Sequence, residues 1–246
     1  MNIGLFIPCY IDQLYPQVGI ATLQLLERLG LSVTYPGNQT CCGQPMANSG
    51  FEHLTAGTSH NFVSNFSEFD YIVCPSGSCT LHIKDHLHDD AHPDKAISTR
   101  KKTFELTEFL TDIIGVKNLD AHFPHKVGLH QSCHGLRGLG LAQMSELIAP
   151  PFSKPENLLG MVKGLELIEL ERKDECCGFG GTFCVFEEAV SVKMGQDRVA
   201  DHRLHGAEYI TGVDMSCLMH LDGILRRQKS NMKVIHIAEI LNSVTK

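Results

Sequence analysis

The sequence predicts an α/β fold of two similar lobes produced by an internal duplication. Each lobe should be a small parallel sheet with flanking helices, related to the other by a pseudo-twofold. Three observations predict this. A cysteine pattern is written twice, as Cys9, Cys41-Cys42-Gly43 and Cys79, then as Cys133, Cys176-Cys177-Gly178 and Cys217. Short apolar runs alternate with helical periodicities around each copy. The halves also end on matching phrases, Leu106-Thr107-Glu108-Phe109-Leu110 and Ile237-Ala238-Glu239-Ile240-Leu241.

In chain order, Ile3 to Ile7 reads as a buried strand. Val18, Ala21, Leu25, Leu26 and Leu29 recur at helical spacing, with Gly30 as the C-terminal stop. Leu31 to Tyr35 alternates as a second strand leading to the first cysteine pair. The segment from about Ala47 to Phe69 reads as helix despite Gly50 and Gly57, and Tyr71-Ile72-Val73 as a strand ending in the loop Pro75-Ser76-Gly77-Ser78-Cys79. The second half repeats the plan. Lys126 to His130 leads into Cys133, Leu165 to Leu170 leads towards Cys176, a helix spans Glu187 to Leu204, and Ala207 to Ile210 leads towards Cys217. The hydrophobic pattern thins between Asn118 and Pro124, which divides the chain into repeats 1–120 and 121–246.

On this plan the cysteines fall just after strands, at loops feeding helix N-termini, where open α/β sheets gather ligands and exposed backbone N–H groups favour anions. Gly43 and Gly178 permit close backbone approach, and Gly178-Phe179-Gly180-Gly181 extends the permissive stretch. No nucleotide-binding glycine fingerprint is present. The spacing within the copies is similar: 32 positions from Cys9 to Cys41 and 37 from Cys42 to Cys79, against 43 from Cys133 to Cys176 and 40 from Cys177 to Cys217. Adjacent side chains on a backbone are expected to diverge, which disfavours closing both thiolates of a pair on one tetrahedral zinc ion and favours iron-sulfur clusters, whose several irons accept divergent ligands. Zinc remains the alternative.

With 246 residues, 43% hydrophobic and 20% charged, the chain can bury a substantial core. No apolar run approaches a membrane span, and the N-terminus lacks a basic region and a cleavage site, so a cytoplasmic location is expected. In that reducing compartment ten cysteines would rest as thiols or metal ligands. A net charge of −7 gives no general attraction to nucleic acid.

The doubled Cys…Cys-Cys-Gly…Cys arrangement resembles the cysteine-rich, or CCG, domain family. Its members include the B subunit of heterodisulfide reductase, the iron-sulfur subunit of glycolate oxidase and a short two-repeat branch concerned with lactate utilization. The phrases Cys41-Cys42-Gly43-Gln44-Pro45, Pro75-Ser76-Gly77-Ser78-Cys79-Thr80, Asp174-Glu175-Cys176-Cys177-Gly178-Phe179-Gly180-Gly181-Thr182-Phe183, Asp214-Met215-Ser216-Cys217-Leu218 and His236-Ile237-Ala238-Glu239 carry the likeness to that branch over the whole chain. The resemblance implies an iron-sulfur oxidoreductase subunit that works with two other proteins, one of them ferredoxin-like, to oxidise L-lactate to pyruvate. It implies cofactor and metal ligands at Cys9, Cys41, Cys42 and Cys79 in one lobe and at Cys133, Cys176, Cys177 and Cys217 in the other, each set suited to a four-thiolate [4Fe-4S] cluster. Heterodisulfide reductase relatives carry a fifth thiol in a terminal Cys-x-x-Cys. Here Ser76 and Asp214 stand in its place, with Cys74 and Cys184 as conceivable substitutes.

Other residues carry weaker readings. His130 and His134 bracket Cys133 and could be ligands, proton carriers or donors to sulfur. Arg137 is a conceivable anchor for a carboxylate substrate. His82 and His86, four apart on a predicted helix within His82 to His92, could offer a metal surface, although a solvated polar face is the simpler expectation. Glu187 and Glu188 suit a helix start. No catalytic base is identifiable, so the chain is expected to act only with partner subunits. A structural zinc module and a thiol-disulfide oxidoreductase using the vicinal cysteines are the competing readings.

Overall fold

Each lobe is built on one four-stranded sheet, and the structure, a computed structural model, describes residues 1–244. The first sheet contains β1 (Asn2–Leu5), β2 (Ser32–Thr34), β3 (Tyr71–Cys74) and β4 (Thr103–Glu105), and the second contains β5 (Lys126–Leu129), β6 (Glu166–Leu167), β7 (Tyr209–Gly212) and β8 (Lys233–His236). Their orders are β2-β1-β3-β4 and β6-β5-β7-β8, with every pairing parallel. The helices are α1 (Cys9–Leu14), α2 (Pro16–Arg28), α3 (Gln44–Asn48), α4 (Ala56–Phe66), α5 (Gly77–His86), α6 (Pro93–Lys102), α7 (Leu106–Glu108), α8 (Lys154–Leu159), α9 (Phe183–Phe186), α10 (Glu188–Leu204), α11 (Met215–Arg227) and α12 (Ile237–Leu241). Among the described residues no helix is long and apolar enough to cross a membrane.

The central strands β1 and β5 are buried from their second residue onward, because helices cover both faces of each sheet. The expected helix over 47–69 is broken: Gly50, at φ +85°, turns the chain after α3, and a short 3-10 turn over Glu52–Thr55 precedes α4. Gly57 is accommodated inside α4. The expected strand over 165–170 shrinks to Glu166–Leu167, because the Asp201 carboxylate accepts the backbone N–H groups of Glu171 (3.3 Å) and Arg172 (3.2 Å) and draws the chain off the sheet. The edge strands β4 and β8 had no signal of their own. The two matching terminal phrases are the helices α7 and α12, each started by a capping box, Glu105 with Glu108 and His236 with Glu239.

The lobes interlock reciprocally. Helix α2 of the first packs on α12 of the second, where Arg28 donates to the carbonyls of Leu241 (3.0 Å) and Asn242 (3.2 Å). Helix α8 of the second packs on α7 of the first, and Lys154 reaches Asp112 at 2.6 Å. Helix α5 lies on the turn His134–Gly138, where a Cβ on Gly138 would stand 2.2 Å from Leu81. One apolar core runs through both lobes, and a smaller one around Phe6, Phe62 and Phe66 belongs to the first.

Candidate metal centre

The parallel topology sets all eight cysteines of the doubled pattern around one cleft between the lobes, a cavity of about 260 Å³. Cys9 opens α1, Cys79 and Cys217 lie in the first turns of α5 and α11, and Cys133 precedes the turn His134–Gly138. In the first lobe Cys9 Sγ donates to Cys41 Sγ at 3.7 Å, Cys41 contacts Cys42, and Cys42 contacts Cys79. The second lobe repeats the chain of contacts as Cys133, Cys176, Cys177, Cys217.

The vicinal pairs do not diverge as expected, because the glycine that follows each pair folds the backbone. Gly43 and Gly178 sit at φ +92° and +88°, and their N–H groups donate to Cys41 Sγ and Cys176 Sγ, both at 3.4 Å. A Cβ at Gly43 would lie 2.9 Å from Thr58 Oγ1, and one at Gly178 would lie 2.7 Å from the Ser191 carbonyl oxygen, so no larger residue fits without displacement.

Each quartet favours negative charge on one sulfur. Cys41 is pulled down to about 2 by thiol donation from Cys42 and Cys9, and Cys176 to about 2 by donation from Cys133 and Cys177. Cys9 and Cys133 are pushed up by donating to those sulfurs and by burial. Four sulfurs holding each other's protons, next to a backbone N–H, form a donor set that a thiophilic cation would occupy in place of those protons. The residues present therefore fit a thiolate-bound metal or cluster in each lobe.

Two cross-lobe pairs line the cleft at positions equivalent under the pseudo-twofold. Tyr10, after Cys9, stands edge-on to Phe179, after Gly178, with ring centroids 6.3 Å apart. His134, after Cys133, faces Gln44, after Gly43, at 3.5 Å. The Gln44 amide can only donate through Nε2, so it places the imidazole lone pair on Nε2 and the ring proton on Nδ1, 3.8 Å from Cys133 Sγ.

The positions where a fifth thiol would stand are turned to a different use. Ser76 and Asp214 are the N-caps of α5 and α11, which meet at the pseudo-twofold. The buried Asp214 carboxylate accepts Ser78 N–H (2.7 Å), Ser78 Oγ (3.0 Å), Ser76 Oγ (3.3 Å) and Ser216 Oγ (3.1 Å), tying the second lobe to the first. Burial pushes its pKa up. Cys74 is fully buried at the end of β3 with its thiol towards the Ser76 carbonyl, and Cys184 donates to the Gly181 carbonyl at 3.1 Å; neither lines the cleft.

The remaining sequence candidates separate. His130 does not line the cleft; it lies behind the second quartet, with a ring nitrogen and the sulfurs of Cys177 and Cys217 all within 4.8 Å of one another. Arg137 is held by Glu146 and the Asp174 carbonyl, outside the cleft. His82 is not on a solvated face: it is buried beneath the first quartet and stacked on His86 at 5.1 Å, with burial pulling it down to about 4. His86 is bound to Glu52 at 2.8 Å. His220 is the counterpart of His82, three residues after the last cysteine of its lobe, a symmetry that aligning the two copies exposes. Glu187 and Glu188 stand at the cap and first position of α10 as expected. The interlobe role of Asp214 and the polar residues Arg198 and His202 behind His130 carry no signal in the cysteine spacing.

The topology, the doubled thiol quartets and the αL glycine after each vicinal pair define a duplicated cysteine-rich domain. The family model described as "Cysteine-rich domain" (CCG) matches residues 3–84 and 127–222, and the chain belongs to that family. Curated relatives include lactate utilization protein A of an Exiguobacterium species, 43% identical over 100% of this chain and 98% of that protein, and lactate utilization protein A of Bacillus subtilis, 41% identical over 99% and 100%. Among solved structures, a hypothetical protein from Helicobacter pylori aligns with a TM-score of 0.59 at 12% identity. It covers 100% of this chain, which spans 49% of that one, and it shares the fold alone.

Proposed function

We propose that the chain is an iron-sulfur electron-transfer subunit of a complex that oxidises L-lactate to pyruvate. The observation that carries this reading is the opening of both thiol quartets onto one interlobe cleft. A purely structural ion would have little to add there, since sheets, core and interlobe hydrogen bonds already hold these elements together. Thiolate ligation, neighbouring backbone N–H donors and partial burial are the features that hold and tune such clusters. The ligands would be Cys9, Cys41, Cys42 and Cys79 in one centre and Cys133, Cys176, Cys177 and Cys217 in the other, with four thiolates each suiting a [4Fe-4S] cluster. Bound there, the clusters would supply one-electron storage. Two such centres match the two electrons released, with two protons, when a 2-hydroxy acid becomes a 2-oxo acid.

The substrate class is supported by the full-length relatives, which are lactate utilization proteins by name. The same names are consistent with a multi-subunit system, in which two further proteins, one ferredoxin-like, would supply the dehydrogenating site and the onward acceptor in the cytoplasm. Arg137 being engaged elsewhere agrees with a chain that does not bind the 2-hydroxy acid itself.

A second reading has one specific observation in its favour. The 3.7 Å between Cys9 and Cys41 sulfurs is close to the edge of a tetrahedron with Zn–S bonds of about 2.3 Å. Purification without oxygen, with iron, acid-labile sulfide and zinc measured per chain and electron paramagnetic resonance recorded before and after dithionite, separates the two. Stoichiometric iron and sulfide are expected, and zinc without sulfide would sink the electron-transfer reading.

A further inference from the structure

We propose that His130 donates its ring N–H to the cysteine sulfurs of the second lobe's centre, backed by Arg198, and that this makes the second centre the easier of the two to reduce. The proposal rests on the iron-sulfur reading above and assigns the two centres different roles.

The strand register fixes the comparison. Ile3 and Leu5 of β1 pair with Tyr71 and Val73, as Val127 and Leu129 of β5 pair with Tyr209 and Thr211. The next residues, Phe6 and His130, are therefore equivalent, and their N–H groups donate to Val73 and Thr211 respectively. A Cβ on Gly4 would meet Phe69 at 2.7 Å and Phe66 at 2.9 Å, and one on the equivalent Gly128 would meet His202 at 2.2 Å; Thr55 and Thr58 against Gly43, as Ser191 and Met194 against Gly178, set the same offset between the helices, which pairs Phe66 with His202 and, one helical turn earlier, Phe62 with Arg198. Behind the first quartet lies an aromatic triad, with Phe6 edge-on to Phe62 (5.0 Å) and Phe66 (5.7 Å). Behind the second lies His130-Arg198-His202, at 1%, 0% and 0% exposure.

Burying three such groups costs free energy unless they are partnered. Arg198 Nη1 is taken by Asp201 at 3.0 Å and by the Arg172 carbonyl, but Arg198 Nε and Nη2 and all four ring nitrogens of the two histidines have no hydrogen-bond partner among the described residues. Arg198 and the two thiols constrain which way the His130 ring is protonated. Arg198 lies close enough for its charge to act on His130, and a guanidinium has only donors, so a neutral imidazole that meets it presents its lone pair. That assigns the single ring proton to the nitrogen that lies within 4.8 Å of the sulfurs of Cys177 and Cys217. An N–H aimed at ligating sulfur stabilises the more negative, reduced state of a cluster. Phe6 has no such proton to offer the first centre. The symmetric histidines His82 and His220 are present in both lobes, whereas His134, with Nδ1 3.8 Å from Cys133 Sγ, adds to His130 in the second lobe alone, and replacing His130 by itself isolates its share.

The test is a potentiometric titration followed by electron paramagnetic resonance on anaerobically prepared protein of measured iron and sulfide content. Two midpoints are expected. His130→Phe should move the higher one down towards the lower and leave the lower in place, whereas His130→Gln, which keeps an N–H, should retain most of the separation. Exchange into D₂O should shift the iron-sulfur stretching bands of the wild type and shift fewer of those of His130→Phe. If His130→Phe loses iron, Arg198→Met makes the same comparison with every group facing the cysteines left in place. An unmoved pair of midpoints, movement of the lower one, or strong nitrogen hyperfine coupling showing His130 bound directly to iron would overturn the proposal. Zinc in place of iron and sulfide would overturn it together with the reading beneath it, and metal analysis alone reveals that outcome.

Discussion

The two lobes share strand order, cysteine order and the αL glycine after each vicinal pair, yet they differ behind the first cysteine. The first lobe places Phe6, Phe62 and Phe66 there and the second places His130, Arg198 and His202, all buried. Duplication has kept the geometry of the thiols and changed the medium around them. An aromatic triad contributes packing energy and little field. A buried imidazole-guanidinium pair contributes dipoles at some cost in stability, which makes sense only where a nearby centre uses the field.

The lobes should part most sharply when a cysteine is lost from one of them. Cys42→Ser is expected to remove about half of the bound iron and sulfide and to leave the second lobe's signal intact, and Cys177→Ser should do the converse. Metal analysis with electron paramagnetic resonance checks both, and simultaneous loss of both signals in either variant would show that the lobes are one cooperative site.

Next in size is the packing asymmetry. Phe62 stacks on Phe66 with centroids 4.6 Å apart in a closed apolar cluster. Phe62→Ala should cost about 3–5 kcal/mol in chemical denaturation. Arg198→Met at the equivalent place should cost less, because it removes unpartnered donors and leaves the Asp201 carboxylate the N–H groups of Glu171 and Arg172. Equal costs would mean that the polar triad is as well packed and satisfied as the aromatic one.

The two glycines sharpen the comparison at closer range. Gly43→Ala brings a methyl 2.9 Å from the Thr58 hydroxyl, which can rotate away, and 3.2 Å from Thr55 Cβ, a milder crowding, and should cost about 1–2 kcal/mol, mostly for the left-handed backbone. Gly178→Ala brings it 2.7 Å from a backbone carbonyl and 2.8 Å from Met194 Cβ, neither of which can move freely. A larger loss, about 3 kcal/mol, is expected there, readable as a lower thermal midpoint than that of Gly43→Ala.

Much of this was legible in the sequence, for reasons the structure makes plain. Buried parallel strands such as β1 and β5 are apolar runs, and the cysteine copies announce the duplication and the loops after the strands. What escaped was short or depended on tertiary partners. Thr103-Phe104-Glu105 is only three residues of strand, Gly50 breaks a helix whose periodicity looked continuous, and Asp201 shortens β6 from 30 residues away. The vicinal thiols were expected to diverge because the αL turn at Gly43 and Gly178 was not foreseen. The His130-Arg198-His202 triad could have been found by writing one copy beneath the other, where phenylalanines face ionisable residues. Cysteine spacing alone does not prompt that comparison.

A pH-dependent effect of similar size concerns two equivalent caps with opposite chemistry. Glu105 starts α7 and His236 starts α12, both fully buried. Burial pushes Glu105 up from 4.5 to about 8 and pulls His236 down from 6.5 to about 4. Glu105 binds a proton more readily in the folded state, so its contribution to stability is complete below 4.5 and lost as pH rises towards 8. His236 binds one less readily, so its contribution is complete above 6.5 and lost as pH falls towards 4. Between 4.5 and 6.5 the two slopes oppose each other; above 6.5 only the Glu105 slope remains. Wild-type protein should therefore lose about 2 kcal/mol between pH 6.5 and 8 through this one group. Glu105→Gln, which keeps the cap's acceptor but cannot ionise, should abolish that loss when denaturation midpoints are compared at the two pH values. An equal loss in the variant would place the alkaline sensitivity elsewhere.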